Sequence, residues 1–482
     1  MKLGPSPVLE IANLLVWLAL LVLQATDGLA DGFATVYLPI SLTLLLLRQL
    51  ASKRPAFDLS IVFLASCLFF FSIGIILWPF SSLSPADFAS LVTEQFTWQQ
   101  LDDAAIWIGL SIAITMATMM ILRRRVRHNS QPITAAFLRL DDPRTKGLYR
   151  LGVFCILISL PAVAVELVDQ LRFIQSVGYL ALFSEGIAVS ASSKAFLYVF
   201  NLGFGLTLAF ARRRMEFLLP AALFLAVATL DSLKGARGAL LVPLLFVAWF
   251  YVSRFNVKVR LPAVVMSLAF VVAVFAVLTF QRDSSFGQGS MLQFAVDALA
   301  SQGRSLQITV LYQQVADAVA RFGDYTVFSN LLIPITAVLH PEIRDAAQSM
   351  DQVIYSNNLK HILTYVLNPD YYFAGGGTGG VYTIELIEAG GVLYVLLSMV
   401  LGWFLVWMPR AMRKPWVRFL SIYFFSTVFY LPRGEFFVNS LIVGKALFLY
   451  MVVVGMYRIF RSNKRPLPVL QSDGASGSDA RA

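Results

Sequence analysis

The sequence predicts an all-α polytopic integral membrane protein of about 12 transmembrane helices, with a large extracytoplasmic loop between helices 9 and 10. Three observations predict it. Of 482 residues, 58% are hydrophobic and 14% charged, against about a quarter charged in soluble domains. Separate apolar runs of about 17–22 residues, matched to the hydrocarbon thickness of a bilayer, recur along the chain. Basic residues collect in alternate loops.

The predicted spans are 9–26, 33–47, 60–80, 104–122, 149–168, 195–211, 216–232, 239–253, 262–280, 383–407, 417–432 and 438–457. The second is short, and the seventh and eighth could instead form one hairpin. With the N-terminus inside, one set of short loops holds Arg48/Lys53/Arg54, the basic residues of 123–150, Arg212 to Arg214, Arg254/Lys258/Arg260, Arg410/Arg413/Lys414/Arg418 and the tail from Arg458. With Lys2, that side carries 27 of the 38 Lys and Arg. The positive-inside rule makes it cytoplasmic, so both termini are expected inside. The net charge of +10 therefore needs no nucleic acid as partner. The first apolar run reads as an anchor, since one Lys precedes it. Residues 1–460 form the membrane domain, and the small, polar tail 461–482 is expected to be disordered. Cys67 and Cys155 fall inside spans and give no disulfide or metal pattern.

The outer side has one long segment, 281–382. Its stretch "MLQFAVDALASQGRSLQITVLYQQVADAVARFG" has helical periodicity. Its run "VFSNLLIPITAVLHP" is too short to span and fits a re-entrant or interface-lying piece. A small soluble cap is the plainer reading. The segment is slightly acidic, so an anion site there needs individually placed arginines, of which Arg304 is one.

Three basic turns face outward against the positive-inside trend: Lys234 with Arg237, Arg282 directly after a span, and Arg433 in "LPRGEFF". Arginine offers a fork of donors that fits phosphate oxygens two at a time. Local pairs, Arg433 with Glu435 and Arg282 with Asp283, are the alternative for each alone. The second constellation is "YYFAGGGTGGVYTIELIEAGG". Gly376, Gly377 and Gly379 let backbone approach a ligand, and the following helix start offers unpartnered amides for phosphate. Glu385 and Glu388, three apart, share a helix face and are candidate general bases, with Glu435 behind them. The alternative is a hinge with dipole-complementing glutamates. His340 and His361 are further candidate bases. Tyr371, Tyr372 and Tyr382 are either sugar platforms or interface anchors. No spacing suggests a metal or a nucleotide phosphate loop.

The blocks "FIQSVGYLALFSEG", "KGARGALLVPL", "GGGTGGVYTIELIEAGG" and "LPRGEFFVNSL", in that order around a long outer loop, resemble the O-antigen polymerases called Wzy, including the enterobacterial common antigen polymerase. The likeness of organisation runs from about 150 to 460. It implies a bacterial inner-membrane glycosyltransferase of GT-C-like architecture, without cofactor or metal. Its partners would be a polyprenyl-diphosphate-linked oligosaccharide, the lipid bilayer and a chain-length regulator. The growing glycan would leave its lipid diphosphate for the non-reducing end of a new repeat on the periplasmic face. Arg237, Arg282, Arg433 and Arg304 would hold the diphosphate. An O-antigen ligase-like transferase shares this chemistry. A lipid-linked oligosaccharide flippase is a third reading, for which transporters' internal repeats are missing in the sequence.

Overall fold

The computed structural model describes residues 8–51, 58–82, 96–126, 143–178, 181, 183–184, 191–234, 238–255, 257, 291–344, 347–437 and 440–462. Over these the chain is helical, with no strand. The expected ninth span, 262–280, lies outside them.

Three helices open the chain: α1 (Val8–Ala25), α2 (Phe33–Ala51) and α3 (Leu59–Phe80). They are followed by α4 (Trp98–Val126), α5 (Pro143–Val177), α6 (Ala191–Phe210), α7 (Arg214–Ser232) and α8 (Gly238–Phe255). After the loop segment come α16 (Gly391–Ala411), α17 (Pro415–Tyr430) and α18 (Ser440–Ser462). Eight helices among the described residues are long and apolar enough to cross a membrane, so this is a multi-pass membrane protein. Helices α6 and α8 are apolar but shorter. Helices α7 and α8 pack on each other as a hairpin of two separate helices.

The expected tenth span, 383–407, is broken. A seven-residue helix, α15 (Tyr382–Glu388), ends before Gly390, which sits at φ +87°, and α16 starts anew at Gly391. Only glycine adopts that backbone without strain. Apolar periodicity runs straight through the break, which is why sequence alone joins the two. Glu385 and Glu388 therefore sit on a short helix ahead of the span.

Helix packing uses small residues where backbones meet, as membrane bundles do. A β-carbon on Gly402 of α16 would lie 2.5 Å from the Thr115 carbonyl of α4. Ser111 and Ser398 hydroxyls meet at 3.1 Å, and Thr115 donates to the Ser398 carbonyl at 3.0 Å. These pairs advance together, so α4 and α16 run parallel, as the expected alternation of twelve spans requires. The antiparallel pair α5 and α6 crosses at Gly152 and Gly203.

The bundle has two chemically distinct ends. At one, the basic loops gather: Arg123 pairs with Asp58 at 2.6 Å, the Arg254 guanidinium donates to the Ala211 carbonyl, and Arg418 donates to the Met412 carbonyl at 3.2 Å. At the other, Asp102 is buried under the start of α2. It accepts from the Gly32 and Thr35 amides and the Thr35 hydroxyl, each at 2.7 Å.

The described part of the 281–382 segment adds α9 (Met291–Ala300), a 3-10 turn Ser301–Arg304, α10 (Ser305–Val319), a 3-10 turn Thr326–Phe328, α11 (Ser329–Leu339), α12 (Met350–Tyr355), α13 (Leu359–Leu367) and α14 (Pro369–Phe373). The expected helical periodicity is present in α9 and α10. Residues 305–312 are all buried, and Leu306, Val310 and Leu311 belong to the same hydrophobic core as α4 and α16. Thr326–Leu339 is the short apolar helix. Leu331, Leu332, Ile335, Val338 and Leu339 stay 45–70% exposed, the pattern of a segment lying at an apolar boundary.

Asp297 ties α9 to the end of α3. Its carboxylate accepts from the Ser81 hydroxyl (2.7 Å), the Ser82 hydroxyl (2.7 Å), the Ser82 amide (2.9 Å) and Gln293 (3.1 Å). Burial raises its pKa, but the bonds from Ser82, Ser81 and Gln293 outweigh burial, and the carboxyl lies below its ordinary value. A folded value below the unfolded one gives stability above the unfolded pKa that is lost as pH falls through the folded value. Asp297→Asn is expected to lower the thermal midpoint in detergent at pH 7, and the difference from wild type should close below about pH 4. An equal gap at acid pH would show that the charge contributes nothing.

Candidate functional site

Three chain segments converge at the Asp102 end of the bundle. The first is the turn after α17, where a 3-10 stretch Leu431–Arg433 runs into extended Gly434, then Glu435 and a turn at Phe436. Pro432 lacks an amide to continue α17 and so helps end it. The second is α15. The third is the loop segment, through its turns Ser301–Arg304 and Thr326–Phe328.

Glu385 joins the first two. It is fully buried, and its carboxylate accepts from the Phe436 amide at 2.6 Å. Burial raises its pKa well above the carboxylate range, and neighbouring Glu435 and Glu388 push the same way, against the Phe436 amide and Lys360. Burial therefore favours the neutral form of Glu385. Glu435 is 4% exposed and accepts from the Asn330 side-chain amide of α11. Glu388 accepts from the Thr326 amide at 3.2 Å and from the Thr326 hydroxyl. Burial raises its pKa, with Thr326 pulling it back. One oxygen each of Glu385 and Glu435 is buried without a hydrogen-bond partner among the described residues. The expected pair of glutamates is thus a group of three.

Arg433 stands beside this group. It donates to the Gln302 side chain at 2.8 Å, and its guanidinium lies 6.0 Å from the centroid of the Phe70 ring, a cation–π distance. Phe70 belongs to Leu68–Ser72, a π-helical segment inside α3. Such segments frequently mark functional sites. The adjacent Phe71 packs on Tyr382 at 6.4 Å. Arg304 closes the same 3-10 turn as Gln302 and is half-buried. So Arg433 meets the turn that carries Arg304, and Arg433 shares its own turn with Glu435. Arg237 and Arg282 lie outside the described residues. Lys234, the other base of its turn, pairs with Asp231 at 2.5 Å.

The glycine run does something other than expected. Gly375 (φ +88°) and Gly376 close α14, their amides donating to the Tyr372 and Tyr371 carbonyls at 2.9 and 2.8 Å. The Gly376 amide is thereby committed to the helix end. Gly377 and Gly379 face open space. With seven residues, α15 is too short to act as the helix terminus for phosphate that the sequence suggests. Gly380 is the glycine that the site needs. A β-carbon there would lie 3.0 Å from the Glu435 Cγ.

Tyr372 and Tyr382 are buried, which removes them as exposed sugar platforms in this conformation. His361 bonds the Tyr372 hydroxyl at 3.1 Å, and burial, then Lys360, lowers its pKa to about 3. It is neutral and structural here. His340 pairs with Glu342 at 3.2 Å and stacks on Tyr355. Sequence reasoning missed Gln302, Thr326 and Asn330, neutral residues whose partners lie 62–131 positions away. Among the described residues, no group of three His, Cys, Asp or Glu side chains is arranged to hold a metal ion.

The packing of this site generates a direct test. A β-carbon on Gly303 would lie 2.4 Å from the Gly74 nitrogen of α3. Gly303→Ala should therefore displace the Gln302 turn and cost about 1–3 kcal/mol, read as a lower thermal midpoint in detergent. An unchanged midpoint would show that the two backbones do not meet. In comparisons with known proteins, the profile of the family described as O-antigen polysaccharide polymerase Wzy matches residues 14–464, nearly the whole chain. No curated protein and no solved structure matches.

Proposed function

We propose, from the premise that this chain belongs to the O-antigen polysaccharide polymerase Wzy family, that it joins polyprenyl-diphosphate-linked oligosaccharide repeats on the periplasmic face of the bacterial inner membrane, with both termini cytoplasmic and a GT-C-like architecture. The observation that carries this reading is the single turn that places Arg433 and Glu435 two residues apart, beside Glu385 and Glu388. The basic end of the bundle, opposite this site, supports the orientation.

The chemistry follows from the substrate. The glycosyl C1–oxygen bond to the lipid diphosphate breaks, and the diphosphate departs with the electron pair. The acceptor hydroxyl oxygen forms the new bond to C1 and gives up its proton. Arg433 and Arg304, joined by Arg237 and Arg282, neutralise the charge that develops on the diphosphate, the kind of stabilisation that positioned donors provide best. No metal is required for that step. Glu435 takes the proton. It shares the turn with Arg433, whereas Glu385 is fully enclosed, its neutral form favoured by burial, and serves as its neighbour. Glu388 completes the group.

Polymerase and ligase differ only in acceptor, and the polymerase reading requires cells without this protein to stop at a single lipid-linked repeat. Arg433→Ala should cut polymer formation by about a hundredfold or more with the protein still inserted, and Arg433→Lys should recover it only in part. Polymerisation by the purified protein should persist in EDTA. Full activity of Arg433→Ala, or strict dependence on added Mg²⁺, would contradict the proposal.

A further inference from the structure

The start of α11 makes two contacts that the reaction scheme does not use. Thr326 donates through its amide and hydroxyl to Glu388, and Asn330 donates to Glu435. Thr326 opens the 3-10 turn that leads into α11, and Asn330, four residues on, is the second residue of α11. Their glutamates come from different segments, α15 and the turn after α17. The Ser440 hydroxyl of α18 donates to the Asn330 carbonyl at 2.9 Å and fixes that point. Directly before Thr326, Tyr325 holds a left-handed backbone (φ +53°, ψ +44°) and is itself exposed. A non-glycine residue there is strained by about 1–3 kcal/mol and persists only when its surroundings hold it. The Thr326 bonds to Glu388 hold it. Both contacts cross large sequence distances, 62 and 105 positions, to reach the same acid group.

We infer that Thr326 and Asn330 are positioning residues: the 3-10 turn into α11 and the first turn of α11 aim two of the three glutamates, and the acid group is set by where this stretch sits. This deepens the proposed function and rests on the glutamates acting in polymerisation. Asn330 offers Glu435 a donor at one oxygen, which leaves the other to receive a proton. Thr326 acts on Glu388 in a way that titration can read. Burial and Asp324 raise the Glu388 pKa, while the Thr326 hydroxyl and amide lower it. The other charged or titratable groups facing this cluster are Glu385, Glu435 and Arg433, with Tyr312 from α10 and Lys360 from α13. Losing the Thr326 hydroxyl leaves those in place and removes one stabiliser of the Glu388 carboxylate, so the proton is held to higher pH.

The test uses the purified full chain with a polyprenyl-diphosphate-linked repeat as substrate. Asn330→Leu and Thr326→Val keep the side-chain size and remove the donors. Asn330→Leu should lower kcat about tenfold or more with KM for the lipid-linked repeat nearly unchanged. Thr326→Val should move the acid-side limb of the rate profile to higher pH, and Thr326→Ser should restore it. Wild-type kcat and pH profile in both variants, with Glu435→Gln and Glu388→Gln inactive, would overturn the inference and leave the proposed function standing. A fall in kcat that only follows a fall in thermal midpoint, with an unmoved pH profile, would also overturn it. Full activity of both Gln variants would instead remove the reading on which it rests.

Discussion

Three carboxyl groups beside one another, two buried and one half-buried, are costly unless protons, donors or cations offset them. That constraint organises the site end of this protein. Glu385 meets it with the Phe436 amide and a pKa raised by burial, Glu388 with Thr326, and Glu435 with Asn330. Each solution fixes a different piece of chain. The Phe436 bond locks the turn after α17 onto α15, the Thr326 bonds lock the 3-10 turn before α11 to α15, and Asn330 locks α11 to the turn after α17. Gly380 is needed because any side chain there would push against Glu435. Three segments distant in sequence are thus held by one electrostatic requirement, and Arg433 is carried in the turn after α17.

The membrane adds a second constraint. Helix α4 links the two ends of the bundle, with Asp102 under the start of α2 at one end and Arg123 paired with Asp58 at the other. Its parallel contact with α16, through Ser111, Thr115, Ser398 and Gly402, brings the stretch containing α15 against the bundle core. The π-helical segment of α3 presents Phe70 toward Arg433 and Phe71 toward Tyr382. Aromatic faces near a guanidinium orient it while leaving its donors for a ligand.

Much of this was legible in the sequence. Hydropathy located the eight helices among the described residues that are long and apolar enough to cross a membrane, because bilayer thickness sets their length, and the alternation of arginines matched the basic end of the bundle. Glu385 and Glu388 were legible as a pair because the helical period puts i and i+3 together, and Arg433 stood out for its place opposite the basic loops. The break at Gly390 was not legible, since it depends on one positive φ inside an uninterrupted apolar pattern. The glycine run looked like a cradle, but backbone conformation decides which amide is spent, and Gly376 gives its own to the end of α14. Gln302, Thr326 and Asn330 were invisible for a different reason. Neutral polar residues acquire meaning only from their partners, and theirs lie many tens of residues away.

The central claim is that this end of the bundle moves a glycan from a lipid diphosphate to a hydroxyl acceptor. The most direct measurement is stoichiometric. Purified protein is given a polyprenyl-diphosphate-linked repeat, and released polyprenyl diphosphate is counted against new glycosidic linkages as polymer forms. The account predicts one diphosphate released for each linkage. Linkages formed without that release, or with polyprenyl monophosphate in its place, would contradict it.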